Sequence, residues 1–304
     1  MEEYIPKKIH YSWFGCKKKS EFIQKCIATW KKYLPEYEII EWNEDNFSLE
    51  DHPFAKEAYE AGKYAFVSDY VRVYVIYHYG GIYFDTDIEV RCNFSDKLAG
   101  ARFVIAFERP ESLMTGFFAA EKENTVVKEI LDYYDRISFY NEDGSMKLTP
   151  NPIIFAQETA KFGLVFNGEY QELGNGMKIY PNEIFGGYNV YDMIYTITDR
   201  TVVVHHYTAS WRTVREEIPV KIKKFLLKLF GVKFFRFMRK VKHLLLGERK
   251  NEYESAVSTF FSGCIKSEYL QCTGNWSCKS SCMQRHRMWC SSLSWKKGRC
   301  RRII

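Results

Sequence analysis

The sequence predicts an α/β sandwich, a largely parallel sheet covered by helices. Two observations carry this. Strand-like and helix-like segments alternate along the body of the chain, the pattern of layered α/β architectures. Aromatic residues make up 17% of the 304 residues, with 22 Tyr and 23 Phe, enough for a substantial core. The length suits one large domain with an appendage or two modest ones. No internal repeat is present.

The elements follow in order. Pro6 to Trp13, "PKKIHYSW", ends in alternating polar and apolar residues and predicts a first strand. Glu21 to Tyr33 has helical spacing, with Phe22, Cys26 and Trp30 along one face. "YEIIEWN" predicts a second strand, closed by the turn-prone Asn43-Glu44-Asp45-Asn46. A helix containing Phe54, Ala58 and Tyr59 ends near Gly62. Ser68 is placed to cap the next helix, with Asp69 in its first turn and Gly80-Gly81 at its end. Residues 82–84 form a short buried strand. "RFVIAFE", a helix from Thr125 to Tyr134, "MKIYP" and "RTVVVHHY" continue the alternation.

Charge is uneven. Residues 1–217 hold 24 Lys/Arg against 34 Asp/Glu, and residues 218–304 hold 20 against 4. An acidic body with a basic end points to an anionic surface as partner, membrane or nucleic acid. The amino-terminal "MEEYIPKKIHYSWFG" has no apolar leader, and no apolar stretch is long enough to span a bilayer. The expectation is a chain that is not exported, with Cys16, Cys26 and Cys92 as reduced thiols.

The run "YGGIYFDTDIEV", Tyr79 to Val90, carries the chemistry. An extended chain points alternate side chains the same way, so Asp85 and Asp87 present paired carboxylates. Adjacent anions repel, and a divalent cation is the simplest group to hold them. Mg²⁺ or Mn²⁺ takes oxygen ligands and shares them between carboxylates and phosphates. A bare Asp-x-Asp also reads as a solvated acidic turn. The context favours a site, because Gly80 and Gly81 permit close backbone approach and Tyr83 and Phe84 supply apolar walls. Strand carboxyl ends are also where ligands gather in open α/β sheets. Upstream, Asp69 and Arg72 share a helical face inside the apolar "DYVRVYVIYHY", as an ordinary ion pair or as functional groups. At the end of the body, "VVVHHYTASW" is a strand running into His205-His206 and Ser210-Trp211. Alternation sends one histidine into the core. His205 is the expected core residue, leaving His206 free to reach a metal or phosphate. The Trp211 indole can only donate a hydrogen bond, which suits a diphosphate.

"IPKKIHYSWFG", "SDYVRVYVIYHYGGIYFDTDIEV", "YPNEIFGGYN" and "HHYTASW" occur in this order over residues 4–212. Together they resemble the glycosyltransferases that bind sugar nucleotides through a DXD motif. The nearest group is family 32, with capsular-polysaccharide synthesis proteins and initiating α-1,6-mannosyltransferases. The central motif is also similar to the core of the large clostridial glucosylating toxins. The resemblance implies a GT-A-type α/β/α sandwich with a mixed, mainly parallel sheet. It further implies Mn²⁺ (or Mg²⁺), a nucleotide-diphosphate sugar donor and retention of anomeric configuration, a hexosyltransferase activity. By position, Trp13 would stack on the nucleobase, and Asp69 and Arg72 would hold the donor sugar. Asp85 would contact ribose or sugar beside the metal, and Asp87 would bind the metal. Tyr83 and Ser210 would line the donor site. His206 would complete the metal–diphosphate site, and Trp211 would bond the bridging phosphate oxygen. "LTPNPIIFAQET" departs from the family's Gly-Pro element, and Gly186 stands where relatives carry a larger residue. The implied setting is capsule, cell-surface polysaccharide or glycolipid synthesis, with a glycan or lipid-linked glycan acceptor.

Three domains are expected: a catalytic body 1–217, a basic amphipathic helical segment 218–250, and a Cys/Ser/Arg-rich tail 251–304. Residues 218–247 carry nine Lys/Arg and no acid. On one helical wheel Lys221, Lys224, Lys228, Arg236, Arg239, Lys240 and Lys242 share one half. Leu226, Leu227, Phe230, Phe234, Phe237, Met238, Val241 and Leu245 crowd the other, with Gly231 able to kink or split the helix. That is the pattern of a helix in an anionic membrane interface. It predicts a cytoplasmic protein attached peripherally to the inner membrane face and no nucleic-acid partner. A helix docked on the body with a solvated basic face is the bland reading. In the tail, Cys264, Cys272, Cys278, Cys282, Cys290 and Cys300 lack Cys-x-x-Cys spacing, so neither a zinc ribbon nor order is expected.

Two other functions compete. Aspartate-nucleophile phosphohydrolases also place Asp-x-Asp after a strand, but need Thr or Val where this chain has Glu89. A binding protein driven by the basic end leaves Asp69, Arg72, Asp85 and Asp87 unexplained.

Overall fold

The computed structural model describes residues 3–208 and 214–246. The chain opens with β1 (Lys8–Ser12), α1 (Glu21–Tyr33), β2 (Glu38–Trp42), α2 (Pro53–Glu60) and α3 (Tyr64–Tyr79). The centre follows with β3 (Gly81–Phe84), β4 (Ile88–Val90), α4 (Ser95–Leu98), β5 (Phe103–Arg109), β6 (Ser112–Ala120) and α5 (Thr125–Asp135). Then come α6 (Asn151–Ala160), β7 (Gln171–Leu173), β8 (Met177–Tyr180) and α7 (Asn182–Phe185). Last are β9 (Tyr188–Asn189), β10 (Ile194–Tyr195), β11 (Val203–His205) and α8 (Val214–Leu246).

Seven strands form one mixed sheet in the order β2-β1-β3-β6-β5-β8-β7. β1, β2, β3, β5 and β8 run one way, while β6 and β7 run against them. The sheet is therefore mainly parallel by direction, and most strand carboxyl ends share one edge. β9–β10 and β4–β11 are separate antiparallel ribbons. Side chains alternate between two cores. Tyr83, Phe103, Ile105 and Phe118 pack with residues of α2, α3, α5 and α6 on one face. Ile82, Phe84, Val104 and Phe117 pack with Trp30, Ile88, Phe94 and Phe185 on the other. This is the expected α/β/α sandwich.

β3 follows α3 with no loop, and two glycines make that possible. Gly80 and Gly81 take φ values of +63° and +111°. A Cβ on Gly81 would meet the Lys8 carbonyl at 2.6 Å, so any side chain would push β3 off β1.

The structure departs from the sequence reading in three places. α3 begins at Tyr64, so Ser68 lies inside it rather than capping it, and Asp69 is beyond the first turn. Burial of Val67, Tyr70 and Val71 sustains the earlier turn without a side-chain cap. α1 buries Ile23, Cys26 and Trp30, while Phe22 stays 39% exposed and meets the His206 ring edge-on at 5.0 Å. β6 is a further strand, between β3 and β5, and all nine of its residues are buried. Burial on both faces erased the alternation that would have marked it.

Candidate active site

The site lies where β3 ends. Asp85 N–H still bonds the Gly116 carbonyl of β6 at 2.8 Å, continuing the strand ladder. Ile88 N–H then bonds the Asp85 carbonyl at 3.0 Å, closing a tight turn over Asp85, Thr86 and Asp87. The two carboxylates are therefore brought together by a turn, not by extended alternation.

The third member is His205. β11 pairs with β4 so that His205 stands opposite Ile88, immediately beside Asp87. His205 Nε2 lies 3.2 Å from Asp87 Oδ1 and 3.8 Å from Asp85 Oδ2. Asp85, Asp87 and His205 can each offer one ligand atom, all within 4.8 Å of one another. This corrects the expectation for the two histidines. His206 points away, with Nε2 donating to Glu89 Oε2 at 2.9 Å and Nδ1 sharing a hydrogen bond with the Tyr195 hydroxyl at 2.7 Å. His205 is buried, as the alternation predicts, but the buried side is the one that carries the carboxylates, because the β4–β11 register sets His205 beside Asp87.

The surroundings hold this corner in shape. Thr208 donates to Asp87 Oδ2 twice, from its N–H at 2.7 Å and its hydroxyl at 2.9 Å, leaving Oδ1 toward His205. Tyr207, at a strained φ of +51°, stacks on the His205 ring at 3.7 Å. Gly116 leaves the space, since a Cβ there would sit 2.7 Å from both Asp85 Oδ2 and His205 Cε1. Burial alone would raise the Asp87 carboxyl, but His205 and the two Thr208 donors outweigh it and hold it well below the usual carboxylate range. Burial would likewise lower His205, yet the Asp87 and Asp85 carboxylates raise it. His205 Nδ1 is buried without a hydrogen-bond partner among the described residues. Two carboxylates and an imidazole form a mixed oxygen–nitrogen donor set able to hold a divalent metal ion.

Arg72 joins this corner to Asp69. Its Nη2 reaches Asp69 at 3.0 Å and Asp85 at 3.2 Å, and its Nη1 donates to the Thr115 carbonyl at 2.9 Å. Nε donates to the Ser68 carbonyl, and the guanidinium lies over the Tyr83 ring at 4.9 Å. Burial pushes the Asp69 carboxyl up to about 6 against the pull of Arg72, with Asp85 adding to the rise. Tyr83 is only 1% exposed and shares a hydrogen bond with Ser12 Oγ at 2.8 Å. It supports Arg72 from below and cannot line the donor site as expected. Trp13 follows β1 at the same sheet edge, its indole N–H donating to the Lys17 carbonyl. Ser210 and Trp211 lie outside the described residues, as does the tail 251–304.

The described body thus brings Asp69, Arg72, Asp85 and Asp87 together as expected, and adds His205, Thr208 and Gly116. Gly116 had a signal, since a glycine inside an apolar strand marks a close approach. Thr208 had none beyond its nearness to the histidine pair.

The chain is similar to several known proteins. A family model described as glycosyltransferase sugar-binding region containing DXD motif matches residues 20–104. Inositol phosphoceramide mannosyltransferase 3 of Schizosaccharomyces pombe is 34% identical over 96 residues, covering 29% of this chain and 25% of that protein. Inositol phosphoceramide mannosyltransferase 1 of the same yeast is 22% identical over 201 residues, covering 60% of each. The chain therefore spans between a quarter and three fifths of these curated relatives. Among solved structures, the PaToxG glycosyltransferase aligns at a TM-score of 0.41 with 23% identity, over 52% of this chain and 68% of that one. The galactosyltransferase LgtC aligns at 0.38 with 12% identity, over 82% and 99%. Residues 20–104, which hold Asp69, Arg72, Asp85 and Asp87, bear out the resemblance to DXD-containing glycosyltransferases.

Proposed function

We propose that the chain is a retaining glycosyltransferase that moves a hexosyl group from a nucleotide-diphosphate sugar to a hydroxyl acceptor. The observation that carries this is the convergence of Asp85, Asp87 and His205 within 4.8 Å, next to the Arg72 network. Those three residues would hold Mn²⁺ or Mg²⁺, which supplies a Lewis acid for the diphosphate when bound. Arg72 adds a fixed positive charge, held in place by four partners before any donor arrives. Asp69 and Asp85 accept hydrogen bonds from the sugar, and Trp13 stacks on the base. Ser210 and Trp211 complete the diphosphate site in this reading. The acceptor hydroxyl attacks from the face that the nucleotide leaves, and a diphosphate oxygen takes its proton.

Both curated relatives are named as mannosyltransferases acting on inositol phosphoceramide. That supports mannose as the first donor sugar to test and a hydroxyl on a lipid headgroup as acceptor. The setting we propose is capsule, surface polysaccharide or glycolipid synthesis at the cytoplasmic face of an anionic membrane, met through residues 218–247. The phosphohydrolase reading gains nothing, since Glu89 is engaged with His206.

A hydrolysis screen across sugar nucleotides with Mn²⁺, scored by released nucleotide diphosphate, tests the reading. One donor should be cleaved in a metal-dependent way, and Asp87→Asn should lose that cleavage while folding normally. Full metal-dependent cleavage by Asp87→Asn would overturn the assignment.

A further inference from the structure

α8 carries a surface for which the transfer reaction has no use. It is two helices rather than one, because Gly231 takes φ 73° and ψ 165°, a conformation that side-chain-bearing residues avoid. The break resets the helical phase, so the single wheel expected from the sequence does not describe it. In the first half Ile218, Ile222, Phe225 and Leu229 follow at spacings of four, three and four and form one stripe. Each is at least 51% exposed, whereas Leu226 and Leu227, expected on the apolar face, are half-buried. Phe230 extends the exposed apolar surface to the break, and Phe234, Phe237 and Met238 continue it beyond. Lys224 and Lys228 are exposed one turn apart beside the stripe.

The other side is held by the body. Lys223 Nζ donates to the Tyr191 carbonyl at 3.3 Å. Arg236 Nε and Nη2 both donate to the buried Asp192 Oδ2, at 2.8 and 2.6 Å. Arg236, expected on the basic membrane face, is thus the latch of the segment. Tyr191 in turn bonds Arg109 and Glu111 where β5 ends, on the edge that carries the site.

We propose that α8 is an interfacial platform lying flat on an anionic phospholipid surface. The stripe from Ile218 to Leu229 seats at the headgroup–acyl boundary, and Lys224 and Lys228 meet lipid phosphates. Through Asp192 and Tyr191 the platform sets the site edge facing the bilayer. This rests on the reading of the acceptor as lipid-borne and says which residues bring the enzyme to it. Contiguous exposed apolar surface calls for cover. A second copy is a poor cover, since the exposed Lys224 and Lys228 beside each stripe would face each other and residues 218–247 offer no acid to pair with them. An anionic bilayer satisfies both the stripe and the charge.

Co-sedimentation of the full chain with vesicles tests this. Binding is expected to mixed phosphatidylcholine–phosphatidylglycerol and not to phosphatidylcholine alone. Phe225→Ser with Leu229→Ser should weaken binding at least about tenfold. Lys224→Gln with Lys228→Gln should weaken it roughly 30-fold at low salt and less at high salt. Both pairs should keep wild-type donor hydrolysis in vesicle-free buffer. That readout separates loss of the platform from failure of the transferase reading. Equal binding to both vesicle types, or wild-type binding by the Phe225/Leu229 pair, overturns the proposal. So does a dimer that this pair converts to monomer in sedimentation velocity, which would make a second copy the cover.

Discussion

Two histidines on strands of separate sheets are both buried and behave in opposite ways. His10 in β1 accepts the Trp42 indole N–H on Nδ1 at 3.0 Å and donates from Nε2 to the Gly80 carbonyl at 2.9 Å. Because an indole N–H only donates, the ring is fixed as the neutral Nε2–H tautomer. Burial lowers its pKa to about 4. His205 in β11 faces two carboxylates, which overcome burial and raise its pKa, and its Nδ1 has no partner among the described residues. A buried histidine with both nitrogens satisfied is architecture, whereas one set among anions is poised for a proton or a metal. Burial alone does not separate them; the partners do.

The sharpest break of this contrast is removal of each ring. His205→Ala should lower Mn²⁺ affinity, read by titration calorimetry, by more than about 100-fold. The reason is that loss of a ligand exceeds the 10–100-fold typical of losing a supporting group. Unchanged affinity would place the metal elsewhere.

The next effect belongs to His10 and to stability. Its pKa is lower in the folded chain than in the unfolded one, so between roughly 6.5 and 4 the unfolded chain binds the extra proton. The contribution is therefore complete above pH 6.5 and lost as pH falls toward 4, up to about 3 kcal/mol. Urea melts at several pH values should show this slope in the wild type and a shallower one in His10→Gln. Identical slopes would remove His10 as the cause.

A smaller change is expected at Thr208. Thr208→Val keeps one of the two hydrogen bonds to Asp87 and should weaken Mn²⁺ binding about tenfold, toward the low end for a supporting group. Thr208→Ser should restore it. The smallest effect is at His206. Its ring is bonded to Glu89 and Tyr195, so His206→Ala should leave Mn²⁺ affinity within about twofold, the scatter expected of an uninvolved residue. A loss as large as that of His205→Ala would restore His206 as the ligand.

What the sequence alone determined was local. The Asp69–Arg72 spacing, the glycines before β3, the paired aspartates and the alternation of strands and helices are all written within short stretches. Helical and strand periods act over such distances, and the structure keeps each of these features. Tertiary structure decided the rest. Which of two adjacent histidines joins the aspartates follows from the β4–β11 register, a pairing between segments more than a hundred residues apart. β6 was hidden because both of its faces are buried, so no polar position marked its period. The exposed stripe of α8 differs from the expected one because the body holds the side bearing Lys223 and Arg236, and Gly231 splits the helix. Residue types and spacings named the chemistry, and long-range pairing and burial chose the atoms that perform it.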